Sequence, residues 1–448
     1  MNTPIRDFLN RYQESSPLRL HMPGHKGMGE GHFAKDLTEV EGADSLYAAS
    51  GIIKESEENA SRLFACPTYY STEGSSQCIR AMLMLAVLYA ASRGETAHIL
   101  AAPNVHKTFL GAAAMLDASV ELLPAYGEDS YLAAHVSPAS LAEYLTTCNT
   151  RPTALYVTSP DYLGNLSDIE GLARVCHRNG MLLLVDNAHG AYLKFMPTSE
   201  HPIDLGADLA CDSAHKTLPA LTGSAYLHLS PTLPPFFADH AREALALFGS
   251  TSPSYLILQS LDATNRYLSE DYPSKLAESA KAIAELRTKL TEHGYTFVGD
   301  ESLKLTVMTK PYGYRGTEYA DLLRAHGIEC EFADPDFVVF MFGAETDSEQ
   351  LEKLGSVMRA ILKHPAIEDA PPIPFPALPV LSPREAMLCP SELVSLKEAE
   401  GKIAAIPTVS CPPAIPITLC GERIDQHHLQ AFSYYGIHGI RIMKAKGV

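Results

Sequence analysis

Met181-Leu182-Leu183-Leu184-Val185-Asp186 is an unbroken apolar run that ends on one carboxylate, and thirty residues past Asp186 the chain reaches Lys216 in Asp212-Ser213-Ala214-His215-Lys216-Thr217. An apolar run without alternation is what a strand buried on both faces needs, so this stretch implies a mostly parallel sheet with helices on both faces. Ligands of such sheets gather at the carboxyl ends of strands, which is where Asp186 falls. A carboxylate there, followed by a lysine on a later turn, is what a pyridoxal phosphate enzyme requires. The lysine amine forms a Schiff base with the cofactor aldehyde, and the aspartate keeps the pyridine nitrogen protonated, which makes the ring an electron sink. Taken alone, the two pieces read equally well as a strand-end cap and a surface turn.

Outward from this stretch, further apolar runs predict strands over 98–102, 120–123, 154–158, 209–212 and 225–229. Helices are predicted over 75–92, 106–116, 168–179 and 255–268 between them. Strand–helix alternation defines an α/β domain. The expected organisation is an N-terminal arm (1–20), a large cofactor-binding domain (21–270), a small α+β domain (271–365), a Pro-rich linker (366–383) and a small C-terminal domain (384–448). Within the α+β block, helices are expected over 274–293, 317–326 and 348–362, and strands over 304–309, 328–332 and 337–342.

Other candidates cluster at expected strand ends. Gly74-Ser75-Ser76 precedes the longest apolar helix, and a Gly-Ser-Ser turn there offers hydroxyls, free N–H groups and the positive dipole end to a phosphate. An ordinary serine cap is the simpler reading of that turn. His106 follows a strand and is placed either to stack on a cofactor ring or to cap the next helix. After Asp186, small Ala188 lets a ring lie against the backbone, with His189 beside it. Ser213 and His215 offer further phosphate contacts. His21 and His25 flank Pro23-Gly24 and lack a carboxylate at zinc spacing, so a loop role is expected and no metal. His427-His428 reads as solvated surface.

The 448 residues carry 35 basic and 53 acidic side chains, a net charge of −18, which argues against nucleic acid or an anionic membrane as partner and suits a cationic small molecule. The nine cysteines are scattered without metal spacing, and residues 1–8 show no apolar signal core, so a reducing cytoplasm is expected. The apolar run 81–91 is short for a membrane span and reads as a core helix.

The chain resembles the Orn/Lys/Arg decarboxylases, fold-type I (aminotransferase-like) pyridoxal phosphate enzymes, in the short form without the N-terminal wing domain. The resemblance covers nearly the whole chain. It rests on His21-Met22-Pro23-Gly24-His25-Lys26-Gly27, Gly74-Ser75-Ser76, Asn104-x-His106-Lys107, Ser159-Pro160-x-Tyr162-x-Gly164 and Asp186-x-Ala188-His189-Gly190. It rests further on Ser213-Ala214-His215-Lys216-Thr217-Leu218-Pro219-Ala220-Leu221-Thr222, Thr251-Ser252-Pro253-Ser254-Tyr255, and Pro412-Pro413-x-Ile415-Pro416. It implies α-decarboxylation of an amino acid, with Lys216 bonded to pyridoxal phosphate, Asp186 on the ring nitrogen and His106 stacked on the ring. Ser75, Ser76, Ser213 and His215 would hold the phosphate, and Thr251 or Ser252 would reach the phosphate of a neighbouring subunit in a homodimer or larger assembly.

The chain departs from the family pattern at Asn187 (usually Glu), Asp161 (Thr), Leu163 (Tyr), Gly223 (Gln), Ile406 (Glu) and Cys420 (Pro). Those changes leave the substrate open. Asp161, Glu331, Asp334 and Glu422 are candidates for a distal cationic group, and His106, Lys216 or a cysteine for the proton donor. Transamination or β-elimination, with Arg384, Arg423 or Arg441 clamping a carboxylate, is the rival reaction. A catalytically idle binding subunit is the rival of another class.

Overall fold

The computed structural model describes residues 1–123, 130–148, 150–372, 379–409 and 414–444. Positions 373–378 of the Pro-rich linker and Cys411, Pro412 and Pro413 of the tail motif lie outside the described residues. Seven strands carry the α/β alternation: β1 Thr68–Ser71, β2 His98–Ala101, β3 Ser119–Leu122, β4 Ala154–Thr158, β5 Leu182–Asp186, β6 Leu209–Asp212 and β7 Ala225–Leu229. Six of them fall within one residue of the apolar runs. Thr68-Tyr69-Tyr70-Ser71 was too short and polar to stand out as the seventh.

The chain divides into two compact units, residues 1–94 with 182–277 and residues 95–181 with 278–448. In the first unit the strand order is β1-β7-β6-β5, with β5–β6 parallel and the other two ladders antiparallel. Every residue of β5, β6 and β7 is buried, which explains their unbroken apolar character. The helix Ser75–Ser92 packs on these three strands and on the helix Pro235–Ala246. Its Cys78, Met82, Leu85 and Ala86, spaced as neighbours on one helical face, are fully buried. This is the one helix among the described residues long and apolar enough to cross a membrane, and that buried face marks it as a core helix. The N-terminal helix Pro4–Glu14 buries Ile5 and Leu9 against the helices Ile52–Phe64 and Tyr255–Leu268.

In the second unit β4-β2-β3 are parallel throughout. A four-stranded antiparallel sheet follows, ordered β10-β11-β9-β8, from β8 Thr296–Val298, β9 Lys304–Met308, β10 Phe332–Ala333 and β11 Phe337–Met341. The strand expected over 328–332 is corrected to Phe332–Ala333. It lies at the sheet edge and is preceded by exposed Glu329 and Glu331, and a short charged edge resists pairing with other chains. The tail adds two small ladders, β12 Ser391–Ser395 with β15 Gly439–Met443 and β13 Thr408–Val409 with β14 Pro416–Thr418. Ile417, Ile424, Phe432 and Ile440 of the tail join Tyr162, Leu163, Phe332 and Phe337 in one core.

Candidate active site

In the first unit, β5 ends on Asp186, which is 2% exposed, and the β5–β6 register sets it opposite Cys211. Asp186 Oδ1 accepts the Cys211 thiol at 3.6 Å and the Ala188 N–H at 3.2 Å. Burial, reinforced by the neighbouring Asp186, pushes the Cys211 thiol well above its usual range, so the sulfur keeps its proton. Strand β6 runs on through Ser213 into the single helical turn Ala214–Thr217, where the Lys216 N–H bonds the Ser213 carbonyl at 3.1 Å. Lys216 is exposed, while Ala214 and Thr217 on either side are buried.

The Ser213 hydroxyl donates to Ser75 Oγ at 2.8 Å, at the start of the helix Ser75–Ser92. Gly74, at φ +73°, makes the turn into that helix, and its N–H is held by the Gly223 carbonyl at 2.7 Å. Gly223 itself sits at φ +94°, and a Cβ there would stand 3.2 Å from the Thr72 carbonyl and 3.1 Å from Ile257 Cδ1. That backbone conformation favours glycine, which accounts for the departure at this position. Next to the turn, the buried Thr72 hydroxyl has no hydrogen-bond partner among the described residues. Two converging hydroxyls, an orphaned third and a helix N-terminus fit a phosphate.

His215 is half-buried, and its Nδ1 lies 3.1 Å from the Ser224 carbonyl, so the ring proton sits on that nitrogen. Burial lowers its pKa, and Nε2 reaches an anion as a donor only when the ring is protonated. Ala188 and His189 are buried beside Asp186. Thr251 and Ser252 are exposed on the loop before the helix Tyr255–Leu268.

The sequence reading missed a buried network behind these residues. Asp212, the last residue of β6, accepts the Asn187 amide on Oδ1 at 2.6 Å, and its Oδ2 lies 3.2 Å from His201 Nε2 and 3.1 Å from His228 Nε2. All four residues are fully buried. The available signal was a histidine inside the otherwise apolar run Ala225-Tyr226-Leu227-His228-Leu229.

In the second unit, His106 is the N-cap of the helix Lys107–Leu116, its Nδ1 accepting the Thr108 N–H at 3.2 Å. The cap leaves a neutral ring's proton on Nε2. Asp161 is 2% exposed, and its carboxylate takes the Leu163 and Asn165 N–H groups, both at 2.9 Å, and the Asn165 amide. It is an internal turn cap. Asp334 likewise takes the Asp336 and Phe337 N–H groups at 2.8 Å, and burial pushes its carboxyl up to about 7. Glu422 is buried beside His428, whereas Glu331 is exposed and accepts the Tyr162 hydroxyl at 3.2 Å.

His428 corrects the expectation of a solvated pair. It is 1% exposed and bonds Asp425 at 2.8 Å, while His427 is exposed. The helical period puts consecutive residues on different faces. In the first unit, His25 bonds Asp36 at 3.1 Å and His21 bonds the Tyr12 hydroxyl, contacts that serve the loop.

The fold is that of aminotransferase-like enzymes. It matches alanine–glyoxylate aminotransferase from Nostoc sp. with a TM-score of 0.54 at 19% identity, over 68% of this chain and 85% of that one. A fuller match is the lysine decarboxylase of Francisella novicida, with a TM-score of 0.79 at 18% identity over 99% of this chain and 81% of that one. By sequence the chain belongs to the Orn/Lys/Arg decarboxylase family: residues 3–304 match its major domain and 377–439 its C-terminal domain. An arginine decarboxylase of Bacillus subtilis (strain 168) is 28% identical over 461 aligned residues, covering 95% of this chain and 92% of that protein. The chain is therefore an enzyme, a pyridoxal phosphate-dependent amino-acid decarboxylase by class.

Proposed function

We propose that the enzyme removes the α-carboxylate of a basic amino acid (arginine, lysine or ornithine) as CO2 and releases the amine. The observation that carries this is the β5–β6 pairing, which ends one strand on Asp186 and runs the next into the Ser213–Lys216 turn. Bound pyridoxal phosphate supplies an electron-withdrawing ring that accepts the electron pair of the breaking bond. Lys216 holds the cofactor aldehyde through Nζ, and Asp186 holds the ring nitrogen. Ser75, Ser76, Ser213 and, as imidazolium, His215 take the phosphate, with Thr251 or Ser252 serving a neighbouring copy.

By family resemblance His106 would be the residue that stacks on the cofactor ring, and its Nδ1 accepts the Thr108 N–H. The proton for Cα would come from His106, Lys216 or a cysteine; among the cysteines, the Cys211 thiol is engaged by Asp186. The division into a cofactor domain (21–270), an α+β domain (271–365) and a C-terminal domain (384–448) belongs to the same proposal.

A basic substrate is supported by the arginine decarboxylases among the relatives and by the charge of −18. With Asp161 and Asp334 capping turns and Glu422 buried beside His428, Glu331 is the exposed one of the acidic candidates for a distal cation. Transamination is the weaker alternative. Arg384 bonds the Ala114 and Met115 carbonyls at 3.3 Å, Arg423 bonds the Gly401 carbonyl at 2.8 Å, and Arg441 lies exposed on β15. Arg384 and Arg423 are thus engaged by backbone carbonyls, which a carboxylate clamp would have to give up.

The eight described cysteines are all free, which supports a reducing cytoplasm. Leu18, Leu20, Met22 and Met28 are 66–85% exposed within eleven residues, and such a patch supports association of two copies. The test is to incubate the holoenzyme with arginine, lysine, ornithine and other amino acids and identify products by mass. Amine and CO2 from a basic substrate are expected; a keto acid, or no turnover of any basic amino acid, would contradict the proposal.

A further inference from the structure

The second buried carboxylate, Asp212, touches none of the residues assigned to the cofactor, yet it joins the two strand ends that carry them. Its Oδ1 holds the amide of Asn187, the residue after Asp186. Ser213, the residue after Asp212, begins the Lys216 turn and bonds Ser75. On its far side Oδ2 takes two imidazoles. The Ile203 N–H points at His201 Nδ1 from 3.4 Å, so the His201 proton lies on Nε2 and is donated to Asp212. His228 Nδ1 lies 2.9 Å from the Thr68 hydroxyl.

Burial keeps His228 neutral, and burial opposes the Asp212 charge, but the two imidazoles hold its carboxyl well below the usual range. Of the other titratable groups around Asp212 and its imidazoles, burial keeps Cys66, Cys78, Cys211 and Tyr226 protonated, and the charges of Lys194 and Asp204 are paired with each other at 2.7 Å. Asp212 is thus a fully buried carboxylate that the Asn187 amide and two imidazoles contact directly. Two histidines and an aspartate within 4.8 Å of one another also meet a metal's distance requirement. Each of the ligand atoms already has a hydrogen bond, and the three side chains have no solvent exposure, so a hydrogen-bonded anion is the better account.

We propose that Asp212 is a positioning residue of the active site: anchored by His201 and His228, it clamps Asn187, fixes the strand ends bearing Asp186 and the Lys216 turn, and adds a buried negative charge that favours the protonated cofactor. This also explains Asn187. A glutamate there would set a second carboxylate against Asp212, whereas an amide donates to it. The inference rests on the cofactor assignment made above.

The experiment titrates the visible band of the holoenzyme from pH 5 to 10 in wild type, Asp212→Asn and the exchange variant Asn187→Asp/Asp212→Asn, with folding checked by melting of the cofactor-free proteins. Asp212→Asn should lower the pH midpoint by about one unit, as expected for loss of one nearby buried charge. The exchange variant, which restores one carboxylate and one amide, should recover at least half of that shift. An Asp212→Asn protein with the wild-type midpoint overturns the inference. So does about one zinc per chain that His228→Gln removes. Should Asp212→Asn fail to fold or to keep cofactor, the exchange variant is compared with wild type directly. A midpoint within half a unit supports the inference, and a displacement of a full unit overturns it. A wild-type protein with no such band overturns the cofactor assignment itself, so the two failures are separable.

Discussion

At the scale of single residues, the carboxylates of this chain behave according to their surroundings. Asp212 and Asp334 are both buried, yet they are pushed in opposite directions. Asp212 has two imidazoles against one oxygen, while Asp334 has two backbone N–H groups and a neighbouring carboxylate, Asp336. Asp334, raised to about 7, is more stable protonated, so the folded state binds the extra proton between about pH 4 and 7. Stability therefore falls as pH rises through that window. Asp334→Asn keeps an oxygen for the Asp336 and Phe337 N–H groups without the charge. Urea unfolding at pH 5 and pH 8 should show the variant gaining about 2 kcal/mol on wild type at the higher pH. Equal pH dependence in both proteins would count against this assignment. Lys216→Ala should reduce amine production to background while the fold, followed by circular dichroism, persists.

At the scale of elements, the loop contributed by Gly223 secures the turn into the helix Ser75–Ser92. Gly223→Ala should cost about 1–2 kcal/mol, because φ +94° is unfavourable for alanine and the Cβ is crowded. It should also weaken cofactor retention on dilution, measured by loss of the visible band. Arg384 caps the last carbonyls of the helix Lys107–Leu116, and Arg384→Ala should lower stability by about 0.5–1 kcal/mol with no change in product identity.

Elements were the most legible feature of the sequence. Strands buried on both faces must be apolar throughout, and β4–β7 read that way, as did the helix that Gly74 introduces. Two kinds of feature escaped. β1 is a four-residue strand of polar and aromatic residues that gains its identity only from pairing with β7. The Asp212 network joins positions 187, 201, 212 and 228, which tertiary packing brings together and no local pattern connects. Position 428 was misjudged for a related reason: a helical residue next to an exposed one turns inward. The candidate site residues were legible as residue types, because Asp186, Ser213 and Lys216 fall at or just after the ends of apolar runs and the proposed chemistry needs a carboxylate, a lysine and hydroxyls.

At the scale of the whole molecule, the chain belongs to the Orn/Lys/Arg decarboxylase family, and the proposed association of copies rests on the exposed apolar N-terminal segment. Leu20→Glu combined with Met28→Glu should shift the molar mass measured by light scattering from that of a dimer or larger toward 48.6 kDa, with at least a ten-fold loss of decarboxylation. An unchanged mass would place the interface elsewhere. The central claim is that Lys216 is the residue bonded to the cofactor. Its most direct measurement is borohydride reduction of the holoenzyme followed by peptide mass mapping. A pyridoxyl phosphate label on the peptide containing Lys216 is the predicted result; a label on another side chain, or no label on a yellow protein, would contradict it.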